Sequence, residues 1–156
     1  MGINTIAEIL HESDKKISAC TVDGDMTITE VMNKIIAENI NHTIFVVDTD
    51  QKLIGSLSAR HVAQHVFCNH ITPSESMFPF LDIMEYLADK YAKDIMDTEF
   101  ISCTKDDTLD DVSLKLCTAQ NVFESIPVVD SEMHIIASIH ILSLMKRHLE
   151  LPRNSQ

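Results

Sequence analysis

Glycine is scarce in this chain of 156 residues, which contains three: Gly2, Gly24 and Gly55. A loop that cradles phosphate groups in nucleotide-hydrolysing enzymes needs several glycines close together, so the sequence excludes such a loop. Neither a G-x-S-x-G nor an H-E-x-x-H motif is present. The cysteines and histidines show no triad arrangement in the sequence, and we therefore expect a protein that is not an enzyme.

Aromatic residues and long apolar runs are also lacking. Phe, Tyr and Trp make up 5% of the chain and Trp is absent, whereas hydrophobic residues in total make up 45%. The core must therefore consist mostly of Ile, Leu, Val and Met. No apolar run is long enough to cross a bilayer, and the amino terminus has neither the basic nor the apolar region of a secretory signal. We expect one compact domain or two small repeats, in the cytoplasm.

Basic residues are half as frequent as acidic ones. The 12 Lys and Arg residues and 24 Asp and Glu residues give a net charge of −12. Such a chain repels nucleic-acid backbones and anionic membranes, so neither is expected as a partner. The four cysteines form no C-x-x-C pair, which suits a reducing compartment. Their positions are Cys20, Cys68, Cys103 and Cys117.

The sequence contains an internal duplication. The segment Phe45–Asp48 recurs 82 residues later as Pro127–Asp130. Further pairs of segments align around it, some with small gaps: Leu53–Leu57 with Ile135–Ile139, Ala37–Ile40 with Ala119–Val122, Ile17–Thr21 with Ile101–Thr104, and Ala7–Leu10 with Lys93–Met96. The chain therefore consists of two copies of one structural unit.

Each copy predicts the same order of elements: a short helical turn, a short strand, a helix, a two-stranded hairpin and a final helix. Acidic and hydroxyl residues open the helix after the first strand, at Asp25–Glu30 and at Asp106–Asp111. In the first copy Val31, Ile35 and Ile36 recur there at helical spacing. Between the copies, Phe80, Met84, Leu87 and Tyr91 predict an amphipathic helix.

This duplicated pattern resembles a tandem CBS-domain pair, also called a Bateman module. The best-matching segments are Leu53–Ser58, Lys93–Met96 and Ile126–Asp130. The resemblance implies an α+β fold of two β-α-β-β-α repeats packed about a pseudo-two-fold axis, with an inserted linker helix. The predicted boundaries are residues 1–68 for the first repeat, 69–90 for the linker, 91–150 for the second repeat and 151–156 for a tail.

The resemblance also implies a function. Clefts between such repeats commonly bind AMP, ADP, ATP or S-adenosylmethionine, and the modules commonly form homodimers and regulate a partner protein or fused domain. The chain is therefore expected to sense a small adenosine-containing ligand, which would be a regulatory ligand rather than a cofactor, and to signal to an unknown protein. The alternative is a ligand-free dimerisation or scaffold module with degenerate sites.

The ligand signature of the family is a Ser or Thr after the second hairpin strand, followed three residues later by Asp. The hydroxyl lies at a helix N-terminus, which favours phosphate, and the Asp accepts both ribose hydroxyls. The first repeat has Ser58 and His61 at these positions, and the second has His140 and Ser143. A neutral imidazole accepts one hydrogen bond, so His61 cannot replace Asp fully. The remaining candidate ligand contacts are Arg60, Cys20, Ile44 and Ile126.

Two alternatives remain open for these residues. Ser58 suits the N-cap of the helix that follows it, whether or not it contacts a ligand. His61, His65 and Cys68 fall on one face of that helix, which raises the possibility of a metal site, whereas His70 falls on the opposite side. Since no other spacing supplies further ligands, no metal is expected.

Overall fold

The computed structural model describes residues 5–12, 19–68, 90–120 and 124–150. These residues form two compact units. The repeat-1 unit comprises Cys20–Glu99, and the repeat-2 unit comprises Met1–Ala19 together with Phe100–Gln156. The predicted linker helix with Phe80, Met84 and Leu87 lies outside the described residues.

The repeat-1 unit is built around a mixed three-stranded sheet. Strand β1 runs parallel to β2, and β2 runs antiparallel to β3. The elements of this unit are β1 (Thr21–Asp23), α2 (Ile28–Glu38), β2 (Ile44–Val47), β3 (Leu53–Leu57), α3 (Ala59–Cys68) and α4 (Ala92–Ile95). Ser56 and Asp97 exchange two backbone hydrogen bonds of 2.9 Å, so the segment after α4 extends the sheet beyond β3.

The repeat-2 unit has a two-stranded sheet, in which β4 pairs with β5 in antiparallel register. Its elements are α1 (Ile6–Glu12), α5 (Leu109–Thr118), β4 (Ser125–Val129), β5 (Ile135–His140) and α6 (Ile141–Glu150). The first strand predicted for this repeat is reduced to a single parallel bridge between Cys103 and Val128. Next to this bridge, the carbonyl of Ser102 accepts a hydrogen bond of 2.8 Å from the Lys115 ammonium group rather than from a neighbouring strand.

The first helix of each sequence copy packs in the unit formed by the other copy. The amide of Ile6, the first residue of α1, donates to the Asp107 carbonyl at 2.9 Å in the repeat-2 unit. The Ala92 amide in α4 donates to the Met26 carbonyl at 2.8 Å in the repeat-1 unit. The packing units therefore divide the chain differently from the predicted sequence repeats. The boundaries of those repeats, residues 1–68 and 91–150, describe the sequence duplication and stay a prediction.

Both long helices that follow the first strand position begin at a capping box, as the acidic and hydroxyl pattern predicts. The Thr27 hydroxyl accepts from the Glu30 amide at 3.2 Å, and the Glu30 carboxylate accepts from the Thr27 amide at 2.9 Å. Thr108 and Asp111 repeat this exchange at 3.2 and 2.9 Å. Each box satisfies two amides that the first helical turn leaves without an intrahelical acceptor.

The duplicated Val-Val-Asp segment ends in the same turn in both hairpins. One oxygen of the Asp48 side chain accepts from two backbone amides further along its turn, each at 2.9 Å, and Asp130 does the same. Gln51 and Met133 then occupy the left-handed region, with φ of 63° and 68°. The sequence duplication therefore preserves the turn chemistry that sets the register of each hairpin.

Each unit has its own apolar core. In the repeat-1 unit, buried branched aliphatic residues from the sheet meet those of α2, α3 and α4. In the repeat-2 unit, Ile6 and Ile9 of α1 pack with residues of α5, β4, β5 and α6. Of the residues at helical spacing in α2, Val31 is fully buried, whereas Ile36 is 75% exposed. Ile36 therefore lies on the solvent side of α2.

Candidate functional site

The topology of the repeat-1 sheet brings three predicted site residues to one edge. Because β1 and β2 are parallel and β3 is antiparallel to them, the starts of β1 and β2 lie beside the end of β3. Cys20 precedes β1, Ile44 opens β2, and Ser58 follows β3. The Phe45 amide donates to the Cys20 carbonyl at 2.9 Å, and Ile44 pairs with Leu57. The edge therefore joins these three positions at the start of α3.

Ser58 is the N-cap of α3, as one interpretation of the sequence predicts. Its Oγ accepts from the His61 amide at 3.0 Å, and its carbonyl accepts from the Val62 amide at 3.0 Å. A hydroxyl group that accepts one hydrogen bond still carries a proton to donate. The cap and a ligand contact are therefore compatible at this residue.

Two further predicted residues lie in the first turn of α3. Arg60 is exposed, and His61 is half-buried. The helix N-terminus carries partial positive charge from its amides, and the guanidinium group lies two residues after the cap. This end of α3 is therefore suited to a ligand with one anionic group.

Cys20 and Ile44 differ in how far they are exposed at this edge. Burial raises the pKa of the half-buried Cys20 thiol, with a smaller opposing effect from Lys34, so the group is uncharged at neutral pH. The Ile44 side chain has no exposed surface within the described residues and belongs to the core of the unit. Because the whole residue is 0% exposed, Ile44 presents no accessible surface in this structure, and ligand contacts at Cys20 and Ile44 stay predictions.

At the corresponding edge of the repeat-2 unit, an imidazole caps the N-terminus of α6. His140 ends β5 opposite Ser125, and its Nδ1 accepts from the Leu142 amide at 3.2 Å. Since a backbone amide can only donate, Nδ1 is the acceptor in this hydrogen bond. His140 thus caps α6 as Ser58 caps α3. Ser143 lies half-buried in the first turn of α6, and Ile126 is a core residue that is 1% exposed.

Both copies of the sequence duplication match one known family. The CBS-domain family model matches residues 5–67 and again residues 92–150. The chain belongs to the CBS-domain family. The resemblance predicted from the duplicated segments is confirmed, as is the mixed α+β fold of two CBS repeats.

Solved structures of other CBS proteins have the same fold. A CBS-domain protein of Thermotoga maritima matches with a TM-score of 0.68 at 18% identity, covering 99% of this chain and 100% of that one. One of Agrobacterium tumefaciens matches with a TM-score of 0.66 at 17% identity, covering 94% of each chain.

The CBS pair of protein MJ0100, solved with 5-methylthioadenosine and S-adenosyl-L-methionine, matches with a TM-score of 0.64 at 19% identity. The match covers 93% of this chain and 99% of that one. No match is found among curated proteins. Within the part of the chain that the structure describes, no helix has the length and hydropathy of a membrane span.

The histidines of α3 have no metal cluster around them in the described ranges. No group of three His, Cys, Asp or Glu side chains in residues 5–12, 19–68, 90–120 and 124–150 could hold an ion. His61 and His65 are both half-buried, one turn apart on α3. The Cys68 side chain and His70, which the sequence also raised as candidates, lie outside the described side chains.

The cysteine of the second CBS repeat occupies a core position. Cys103 bridges Val128 as Val22 pairs with Val46 in the first repeat, so it aligns in space with Val22 rather than with Cys20. Its thiol donates to the Pro127 carbonyl at 3.7 Å, and burial raises its pKa to about 12. A thiol that stays protonated is neither a nucleophile nor a metal ligand, so Cys103 serves the core.

A pocket of 410 Å³ lies at the opposite edge of the first CBS repeat's sheet and was not predicted from the sequence. Its lining includes Asp23, Asp25 and Asp48, and the Lys93 ammonium group bonds Asp25 at 2.7 Å. The sequence contained a signal for this pocket, because Asp23 ends β1 and Asp48 directly follows β2, and the carboxyl ends of these parallel strands meet at one edge. The acidic lining sets this pocket apart from the α3 edge.

A larger groove of 710 Å³ lies between α5 and α6 of the second CBS repeat. Its lining is mainly aliphatic and recurs at helical spacing on both helices. The residues are Leu109, Ser113, Leu116, Ala119 and Gln120 on and after α5, and Ile141, Leu144, Met145, His148 and Leu149 on α6. A shared surface of these positions was not predicted from the sequence.

Proposed function

We propose that this CBS pair is a regulatory module that binds one adenosine-containing ligand at the α3 edge of the repeat-1 unit and signals its occupancy to a partner protein. The observation that carries the proposal is the position of Ser58 as the N-cap of α3, at the sheet edge that it shares with Cys20 and Ile44, with Arg60 exposed in the first turn of the helix. The hydroxyl proton and the first amides of α3 lie at this helix N-terminus, where an anionic group is favoured, and Arg60 follows two residues after the cap.

Charge favours a ligand with at most one anionic group at this edge. Residues 20–99 carry 13 carboxylates and 5 basic side chains, a net charge of −8. Two of those basic side chains are paired, Lys34 with Glu38 at 3.5 Å and Lys93 with Asp25 at 2.7 Å. Arg60 is the one Lys or Arg residue in the sequence of α3. A triphosphate would meet repulsion from the unit as a whole, whereas S-adenosylmethionine, with one carboxylate and two cationic groups, suits it.

The replacement of the family's Asp by His61 limits the ligand affinity that we expect. The family's Asp accepts both ribose hydroxyls, and an imidazole accepts one of them at most. Losing one hydrogen bond of this kind costs about 0.5–1.5 kcal/mol, which is roughly 2- to 13-fold in affinity. We therefore propose a ligand that binds in the micromolar range or weaker, and we propose S-adenosylmethionine ahead of AMP and AMP ahead of ATP.

The experiment is a thermal-shift comparison of these three compounds at millimolar concentration, with the wild type and two variants. A ligand that binds the native state at 100 times its Kd stabilises by about 2.7 kcal/mol, which is easily measured. His61→Asp should increase the shift, and Arg60→Gln should reduce it, whereas Lys52→Gln in the hairpin turn should leave it unchanged. A flat response of the wild type and of His61→Asp to every compound would refute the proposal.

A second candidate function is a ligand-free dimerisation module. It is favoured by the departure of His61 and His140 from the family signature and by exposed apolar residues on α5 and α6. It predicts a stable dimer whose melting temperature does not respond to any adenosine compound. A monomer by light scattering at micromolar concentration would exclude it.

A further inference from the structure

Four hydroxyl side chains of the two hairpins are buried and have no hydrogen-bond partner in the described part of the chain. They are Thr43, Ser56, Ser125 and Ser138, which are 8%, 7%, 6% and 6% exposed. A buried hydroxyl group without a partner destabilises the fold, because the group gives up its hydrogen bonds to water. Each such group in a native protein therefore needs an explanation, which its position in the sheet can supply.

Thr43 directly precedes β2, at the sheet edge where α3 begins. The antiparallel register of β2 and β3, continued one residue past its last pair, places Thr43 opposite Ser58. The second hairpin supports this step, because the equivalent residues 82 positions later, Ser125 and His140, are paired directly. The Cβ atoms of opposite residues are about 4.5–5.5 Å apart, so the Thr43 and Ser58 side chains share one small region.

The Thr43 hydroxyl is not part of the apolar core of its unit. Ile44 and Val46 belong to that core, and side chains alternate between the two faces of a strand, so Thr43 lies on the other face of the sheet. Valine at this position would have nearly the same shape and no polar group to satisfy. Packing within the unit therefore does not explain why position 43 carries a hydroxyl group.

The two hydroxyl groups at this edge each have a proton to donate. The Ser58 Oγ accepts from the His61 amide at 3.0 Å, which uses an acceptor site and leaves the proton. The Thr43 residue retains 8% of its exposed surface, whereas the neighbouring Ile44 retains none. Two hydroxyl donors beside the first amides of α3 suit the oxygens of one anionic group.

We propose that Thr43 is a specificity-determining residue, whose hydroxyl donates together with that of Ser58 to the anionic group of the adenosine-containing ligand. That group is a carboxylate in S-adenosylmethionine and a phosphate in AMP, and both present oxygen acceptors. The inference rests on the proposed function and adds a contact that the family's Ser and Asp signature does not contain. At the corresponding edge of the second repeat, Ser125 faces an imidazole instead of a second hydroxyl.

The first experiment is isothermal titration of the full chain with two pairs of compounds. S-adenosylmethionine and 5-methylthioadenosine share the thioadenosine part, and the first alone carries a carboxylate; AMP and adenosine differ by the phosphate. Thr43→Val should lower the affinity for S-adenosylmethionine and AMP by about 10- to 150-fold, the loss expected for a hydrogen bond to a charged group. The affinity for 5-methylthioadenosine and adenosine should change by less than about twofold, because neither has the anionic group.

Two further variants complete this titration. Thr43→Ser keeps the hydroxyl group and should retain most of the affinity for the anionic compounds. Ser125→Ala is the matched control, since it removes the equivalent buried hydroxyl of the second repeat and should leave all four affinities unchanged. The preference of the wild type between S-adenosylmethionine and AMP identifies the anionic group that is held.

The second experiment measures thermal unfolding without ligand. Thr43→Val should raise the Tm of the ligand-free protein by about 2–4 °C, because the variant removes a buried hydroxyl group that has no partner. A hydroxyl group that served the fold through a hydrogen bond would give the opposite sign. Higher stability together with weaker binding is therefore the signature of a ligand contact.

Three results would overturn the inference and leave the proposed function intact. They are wild-type affinity of Thr43→Val for S-adenosylmethionine and AMP, an equal loss of affinity for all four compounds, and a lower Tm of ligand-free Thr43→Val. A wild type that binds none of the four compounds refutes the proposed function and this inference with it. Circular dichroism spectra of every variant show that each titrated chain is folded.

Discussion

The exchange of first helices between the two CBS repeats has a direct consequence for Ile6. This residue belongs by sequence to the first repeat, yet it is fully buried in the core of the repeat-2 unit together with Cys103 and Val128. Ile→Ala substitutions in cores cost about 2–5 kcal/mol, according to how far the cavity collapses. Because the Ile6 side chain is 0% exposed and packs inside the cluster, we expect about 3 kcal/mol for Ile6→Ala.

The Cys103 thiol supplies an assay that is specific to this unit. It is 1% exposed and its pKa is raised to about 12 by burial, so an alkylating reagent reacts only after the unit opens. A loss of about 3 kcal/mol corresponds to roughly a hundredfold increase in the open population, and to the same increase in the labelling rate at Cys103 when opening is fast and reversible. Peptide mass spectrometry separates this label from that on the exposed Cys117.

Ile95→Ala is the matched control, since Ile95 lies in α4 and packs in the core of the repeat-1 unit. It should accelerate labelling at Cys103 far less than Ile6→Ala does. If Ile6→Ala left the Cys103 rate within threefold of the wild type, α1 would not be part of that core and the exchange of helices would be wrong.

Further predictions concern the turns, the cap and the carboxylates. Met133→Gly should raise the free energy of unfolding by about 0.5–1 kcal/mol in urea unfolding, because the strain of the left-handed conformation that glycine removes exceeds the conformational entropy that glycine adds to the unfolded chain. Glu132→Gly, at the neighbouring position, should lower the free energy of unfolding. His140→Ala should lower the free energy of unfolding by about 1 kcal/mol through loss of the α6 cap, and His140→Asn should restore most of it. Hydrogen bonds from its own capping box lower the pKa of Asp111, and bonds from the turn amides lower that of Asp130. Since their folded pKa values are depressed, both carboxylates stabilise the fold above about pH 4, the unfolded value. That stability should disappear as pH falls through the lower folded values, which an acid titration of urea midpoints would show; midpoints that do not change below pH 4 would contradict this.

Local chemistry explains which parts of the fold could be predicted. The capping boxes and the Asp48 turn depend on contacts within five residues of one another, so the sequence displays their complete pattern. The duplication then predicts the second copy from the first. Burial within α2 was less predictable, because Ile35 and Ile36 are adjacent apolar residues and the packing against the sheet decides which of them is covered.

Contacts between distant segments could not be predicted from the sequence. The amide of Ile6 bonds a carbonyl that is about a hundred residues away, and no spacing rule connects the two. The cap at His140 was also missed, since imidazole is uncommon at an N-cap and its role depends on the direction of Nδ1. The candidate site was predictable in part. The signature identifies Ser58 and His61, whereas the convergence of Cys20, Ile44 and Ser58 follows from the parallel pairing of β1 with β2.

The proposed function requires that one adenosine-containing ligand binds per chain, at Ser58 and Arg60, with His140 capping α6 at the corresponding edge of the repeat-2 unit. Isothermal titration of the full chain with S-adenosylmethionine tests it most directly. We expect one site per chain, with an affinity that Arg60→Gln lowers and that His140→Ala leaves within a factor of two. Two sites per chain, or binding abolished by His140→Ala and unaffected by Arg60→Gln, would contradict it.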